Sequence, residues 1–242
     1  MMMKLKSTNR DSGAKLLFLL FCLLLSFTTL SAQTPPPITV VGSEFQFGYI
    51  PYRTTAKHRV YLINNSDSVL EIKNVHTGCA CTQVSLIKRE AVKGDTIPIE
   101  ISILTGKISK GNFVKSAQLY TNNPGMPKIE IKLNGFSYEK GDLMVPVRIF
   151  PESIPFTQNS SETEVEIRNL GSEDFQALLV SQPVKSLYDV VMPPKTIKKS
   201  GADKIKVRMK PQPKHSEFTE SFTFYITDGK MTRFTVPVTL TR

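Results

Sequence analysis

Ile97, Ile99, Ile101 and Ile103 alternate with Pro98, Glu100 and Ser102, so all four isoleucines fall on one face of an extended strand. Lys128-Ile129-Glu130-Ile131-Lys132-Leu133 repeats the period with charges on the other face, and Ile205, Val207 and Met209 do so again between Lys204, Lys206 and Arg208. Turn-forming clusters separate these runs: Asn65-Ser66-Asp67, Lys93-Gly94-Asp95, Asn122-Asn123-Pro124-Gly125, Gly171-Ser172 and Asp228-Gly229. No window beyond the first thirty-odd residues carries a long amphipathic helix. Strands with one apolar face must bury it against a second sheet, so the pattern predicts an all-β sandwich architecture. Pro98 and Pro237 sit inside predicted strands, which places those stretches on sheet edges or at bulges.

The chain also repeats itself at an offset of 105 residues. Val60-Tyr61-Leu62-Ile63-Asn64 falls on Val165-Glu166-Ile167-Arg168-Asn169. Phe113, Ser116 and Tyr120 fall on Phe218, Ser221 and Tyr225, and Ile129, Ile131 and Leu133 on Phe234, Val236 and Val238. One offset serves strands at both ends of the repeat, with a slip of one residue between Ile99/Ile101 and Ile205/Val207. The reading is two homologous immunoglobulin-like β-sandwich domains, 33–138 and 139–242. The short link at Tyr138-Glu139-Lys140-Gly141-Asp142 predicts an elongated tandem rather than freely tumbling beads.

Residues 1–32 read as a signal peptide. Lys4, Lys6, Arg10 and Lys15 form a basic n-region, Leu16 to Phe27 an apolar core, and Leu30-Ser31-Ala32 a cleavage site ahead of Gln33. The apolar stretch is shorter than the roughly 20 residues a membrane-spanning helix needs, and no later run is long enough to cross. The expected location is therefore the periplasm or the cell surface. Cleavage lowers the net charge from +10 by three, to +7. That excess is dispersed, Trp is absent, and no basic-aromatic motif occurs, so nucleic acid is not an expected partner.

Cleavage also leaves Cys79 and Cys81 as the exported chain's cysteines, within His76-Thr77-Gly78-Cys79-Ala80-Cys81-Thr82. Residues two apart on a strand point the same way with Cα atoms ~6.5 Å apart, the upper edge of disulfide tolerance, so closing a ring needs a bend. Gly78 is the candidate to supply it. In an oxidising compartment the pair reads as a local disulfide staple. Alternatively His76, Cys79 and Cys81 offer the N, S, S donors that suit copper or zinc, with no fourth ligand in view. Thiol–disulfide exchange and a reduced, packed pair complete the alternatives.

These residues resemble a family of exported bacterial domains of unknown function distinguished by a Cys-Gly-Cys-Thr motif. In fold, that family is related to the Hydin and major-sperm-protein branch of immunoglobulin-like domains. The resemblance runs from Phe45 to Phe136. It rests on Phe47-Gly48-Tyr49-Ile50, Asn64-Asn65-Ser66 with Leu70-Glu71-Ile72, Cys79-Ala80-Cys81-Thr82, Gly111-Asn112-Phe113, Thr121-Asn122-Asn123-Pro124 and Leu133-Asn134-Gly135. Ala80 replaces the middle glycine, Ser66 a turn glycine, and Lys93 a proline. A positive φ at position 80 is therefore costly. The resemblance implies the fold and leaves the function open. Val184 and Ser186 stand where the second copy would carry cysteines, so the sandwich does not require them.

No Gly-x-Ser-x-Gly, His-Glu-x-x-His or phosphate-cradling loop is present, and no catalytic residues or cofactor are expected. Glu71, Glu100 and Glu130 alternate with apolar residues and read as solvated. The function that fits is a non-enzymatic adaptor of the cell envelope. It would recognise a protein or glycan partner through sheet edges or loops, with soft-metal binding or redox activity at the cysteines as the alternative.

Overall fold

The computed structural model describes residues 36–142, 145–181, 186–213 and 215–241. The leader and Val184 lie outside the described residues. The first half contributes β1 (Ile38–Val41), β2 (Glu44–Pro51), β3 (Thr55–Asn64), β4 (Leu70–Thr77), β5 (Thr82–Leu86), β6 (Glu90–Ala91), β7 (Thr96–Leu104), β8 (Gly111–Thr121) and β9 (Lys128–Tyr138). The second contributes β10 (Val147–Phe150), β11 (Ile154–Thr157), β12 (Glu162–Asn169), β13 (Ala177–Leu179), β14 (Tyr188–Val191), β15 (Ala202–Met209), β16 (Phe218–Ile226) and β17 (Arg233–Thr241). The fold is all-β, as the alternation predicts.

Two four-stranded sheets, β1-β3-β7-β5 and β10-β12-β15-β14, have the same internal order. Each faces part of a longer sheet running β13-β16-β17-β2-β9-β8-β4-β6, with β11 also paired to β17. In both halves the last strand takes a parallel partner from near the start, β2 on β9 and β11 on β17. The isoleucines of β7 are fully buried in one apolar cluster with Phe47, Leu62, Ile72 and Leu133. A second cluster gathers Ile149, Phe156, Ile167, Val207, Phe222 and Val236. Burying each such side chain contributes roughly 1.5–3 kcal/mol.

The 105-residue offset recurs in the polar bonds. Asn122 Oδ1 accepts from Glu71 N–H (2.9 Å), and Asn122 N–H donates to the Glu71 carbonyl (3.1 Å). Thr227 makes the same pair with Gln176, at 2.9 and 3.0 Å.

The prolines depart from expectation, because both occupy interior strands. Pro98 in β7 lies opposite Tyr61 of β3, and β5 ends at Leu86 opposite Ile99, one residue short of it. Just past the end of β5, Ile87 N–H still donates to the Pro98 carbonyl (3.5 Å), and the return bond that the proline lacks is where this ladder stops. Pro237 in β17 lies between Phe234, which pairs with Tyr49 of β2, and Val238, which pairs with Ile154 of β11. It occupies the gap where β17 changes partner. Local gaps in the ladder, rather than whole edges, accommodate these residues.

The halves are joined as well as linked. Gly48 sits at a bulge between Gln46 and Tyr49 with φ +71°, and a Cβ there would lie 2.1 Å from the Arg233 carbonyl oxygen. Only glycine combines that φ with that approach. Thr235 Oγ1 donates to the Phe47 carbonyl (2.7 Å), and Tyr49 stacks on Phe234 with centroids 5.7 Å apart. Lys57 N–H donates to Ser221 Oγ (2.8 Å), which donates back to the Lys57 carbonyl (3.2 Å).

Candidate functional site

Thr77 ends β4 in the long sheet and Thr82 begins β5 in the facing one, so residues 78–81 cross between the two layers. The crossing is a tight turn in which Thr82 N–H donates to the Cys79 carbonyl (3.1 Å). It brings the cysteine Cα atoms to 5.2 Å, inside the usual disulfide range, with the two sulfurs in contact. The cysteines thus belong to a turn rather than to the extended strand whose spacing sets ~6.5 Å. Neither Gly78 nor Ala80 takes a positive φ, so alanine at the middle position carries no backbone cost. Cys81 is fully buried, Cys79 half-buried, and Cys81 N–H donates to Cys79 Sγ at 2.9 Å.

His76 is exposed on β4 opposite Gln118. Among the described residues no three His, Cys, Asp or Glu side chains gather closely enough to hold a metal ion. While the sulfurs are joined to each other, neither is a free thiolate donor.

The turn also sets the phase of β5. Leu104 N–H donates to the Cys81 carbonyl (2.8 Å), and the ladder runs unbroken from Thr82↔Ile103 to Leu86↔Ile99. By antiparallel alternation Gln83 and Ser85 bond to β7, while Val84 and Leu86 turn their backbone groups outward. β5 ends its sheet. Its sequence, Thr-Gln-Val-Ser-Leu, has no charge, no proline and no bulge, which are the usual guards of an edge strand. The neighbouring edge of β4 is guarded: it carries Lys73, a register shift between Ile72 and Asn74, and the Asn74 side chain on Val75 N–H (2.8 Å).

A second polar cluster lies between the halves, and the sequence reading does not foresee it. Glu220, its side chain 4% exposed, accepts from Arg59 Nη2 at 2.8 Å and sits 3.5 Å from Lys57 Nζ. Both cations also pair with Glu100, which is therefore half-buried in a network and not a solvated surface carboxylate. Burial opposes its charge, but the Arg59 hydrogen bond and the two nearby cations hold the Glu100 carboxyl below the usual carboxylate range. Glu220 is legible only as the lone charge in Phe218–Ile226; the residue 105 positions earlier is Lys115.

Residues 38–136 match the model of a family described as a protein of unknown function (DUF1573). The first half matches DUF1573. The resemblance drawn from Phe45 to Phe136 lies inside that match. No curated protein matches the chain. Among solved structures the chain is similar to a protein of unknown function from Porphyromonas gingivalis W83, at 12% identity over 85% of this chain and 100% of that one, with a TM-score of 0.35. It is also similar to PapD-like domain 7 of human CEP192, at 13% identity over 45% of this chain and 92% of that one, TM-score 0.37. The periplasmic chaperone SfaE matches at 8% identity over 83% of this chain and 98% of that one, TM-score 0.33. Among the described residues no helix is long and apolar enough to cross a membrane.

Proposed function

We propose that this protein is a non-enzymatic binding module of the cell envelope, exported by its leader and built of two sandwich domains, the first of which presents the outer edge of β5 to an extended segment of a partner protein. The observation that carries this reading is the unguarded edge itself. Val84 and Leu86 offer an outward run of backbone donors and acceptors, and the cysteine turn fixes where that run begins. An added strand gains main-chain hydrogen bonds there, while half-buried Val84 and Leu86 give it side chains to read. The cysteines serve as a staple on this reading and need no metal.

Immobilised protein, wild type or Val84→Pro, is exposed to envelope extract. The proline removes an outward donor and leaves the β5–β7 ladder intact. A polypeptide held by the wild type and released by the variant is the expected result; identical retention by both overturns the reading. N-terminal sequencing of the periplasmic fraction checks export, with a start at Gln33 expected.

A second reading follows from the bond of Cys81 N–H to Cys79 Sγ. In the reduced protein that donor favours a thiolate on the more accessible sulfur, the arrangement thiol–disulfide exchange requires. Faster alkylation of Cys79 than of Cys81, with one equivalent of a dithiol substrate oxidised for each Cys79–Cys81 disulfide reduced, is its signature; no such exchange removes it.

A further inference from the structure

We propose that the outer face of β8, β9 and β2, walled by the turn between β16 and β17, is a binding site for an acidic glycan. This face is separate from the β5 edge, so the proposal stands or falls independently of partner-strand addition.

The register assembles the floor. Asn112 lies opposite Phe136 and Val114 opposite Asn134; Gln46 and Tyr49 then face Asn134 and Phe136 from β2. Phe113, Phe45 and Phe47, the alternate residues, point into the core. The bulge at Gly48 decides the position of Tyr49. Strict alternation from Gln46 would turn Tyr49 inward, and the extra residue returns it to the outer face beside Phe136, with centroids 5.3 Å apart. Lys230, Met231 and Arg233 form the wall, and the groove between encloses about 480 Å³.

Three properties set the ligand class. First, β9, the middle strand of the floor, is paired on one side by β8 and on the other by β2, so a ligand lying over it must be read by side chains. Second, among the described residues the side-chain amides of Gln46, Asn112 and Asn134 make no hydrogen bond, and each presents both a donor and an acceptor, as sugar hydroxyls do. They are interleaved with apolar surface, Val114 at 74% and Met231 at 54% exposure beside the Tyr49 and Phe136 rings, which suits the C–H face of a pyranose. Third, the groove is lined by two cations and no carboxylate. Arg233 commits Nη1 to the Gln46 carbonyl (3.2 Å), keeping its remaining donors, and among the described residues neither it nor Lys230 has an acidic partner. A guanidinium with donors to spare selects a carboxylate, hence a uronate-bearing chain over a neutral one.

Titration calorimetry with an oligogalacturonate, a maltooligosaccharide of matched length and a poly-glutamate peptide tests this. Saturable, salt-sensitive binding of the uronate chain alone is expected. Arg233→Gln weakens it about tenfold or more and Asn134→Ala severalfold, with thermal melting confirming that both variants fold, and Val84→Pro leaves it unchanged. Equal binding of the neutral sugar, equal or stronger binding of poly-glutamate, no binding of the uronate chain, or indifference to Arg233→Gln in the folded variant overturns the proposal.

Discussion

Asn64 and Asn169, 105 residues apart, close the same corner with the same hydrogen bonds. Asn64 Nδ2 donates to the carbonyls of Ser68 (2.8 Å) and Ala91 (2.9 Å), while its Oδ1 accepts from Ser66 N–H (3.0 Å). Asn169 Nδ2 donates to Glu173 (2.8 Å) and Ile197 (3.3 Å), and its Oδ1 accepts from Gly171 N–H (2.9 Å). Both side chains are buried. An amide is the only side chain of this size that serves two carbonyls and one N–H at once.

Replacing either by alanine strands buried carbonyls, each costing about 1–3 kcal/mol. Asn64→Ala and Asn169→Ala are each expected to lose about 2 kcal/mol or more in urea unfolding. Aspartate is expected to be worse above its carboxyl pKa, because it sets a charged oxygen against two carbonyls. A loss below half a kcal/mol at both sites, on the order of a surface substitution, contradicts the assignment.

Gly48 and Gly229 separate two costs that usually travel together. Both have positive φ, +71° and +76°, but nothing lies within 4 Å of a Cβ at Gly229. Gly229→Ala is expected to cost about 1 kcal/mol from backbone conformation alone. Gly48→Ala adds the collision with Arg233 and is expected to exceed about 2 kcal/mol, with faster amide exchange near Thr235. Equal losses would mean that the approach of β17 to β2 is not tight.

Glu220→Gln removes the buried carboxylate that Arg59 and Lys57 share, and a loss of about 3 kcal/mol is expected. Glu100 contributes to the acid limb. Its carboxyl is held below the ordinary value, so its contribution is fully present above that value and is lost as pH falls through the lowered one. Stability measured from neutral pH down through the carboxylate range therefore declines in the wild type. Glu100→Gln is expected to start lower and decline less.

The ring closed by Cys79 and Cys81 is too small to restrain much unfolded chain. Reduction is expected to cost no more than about 1.5 kcal/mol. Cys81→Ser, which buries a hydroxyl, should cost more than Cys79→Ser. Non-reducing mass spectrometry checks the staple itself: reduction should add the mass of two hydrogens.

What was legible in the sequence is what depends on local period. The isoleucines of β7 are all buried, and the charges of Lys128–Leu133 all lie outward, because a strand's side-chain direction is set by parity alone. The cysteine reading foresaw the need for a bend, but placed the pair by strand spacing, because nothing local marks the chain crossing between sheets there. Glu100 was misread for a different reason. Parity places it off the core face, and what covers that face is Glu220, 120 residues away in sequence. Nor does period reveal that β17 and β2 meet. That contact joins the halves directly as well as through their link, and it rests on one bulge at Gly48, whose signature in the chain is a single glycine.

The partner exchange of β17 at Pro237 bears on how this molecule can be divided. Tyr49 and its neighbours in β2 cover one flank of the second half's sheet, so cutting the chain after Tyr138 would lay bare a strand rim on each fragment. A severed rim recruits whatever backbone it meets, another fragment included. Fragments made at that boundary should therefore self-associate more than the intact chain does, and affinities measured on the isolated first half would report a surface that the intact fold covers.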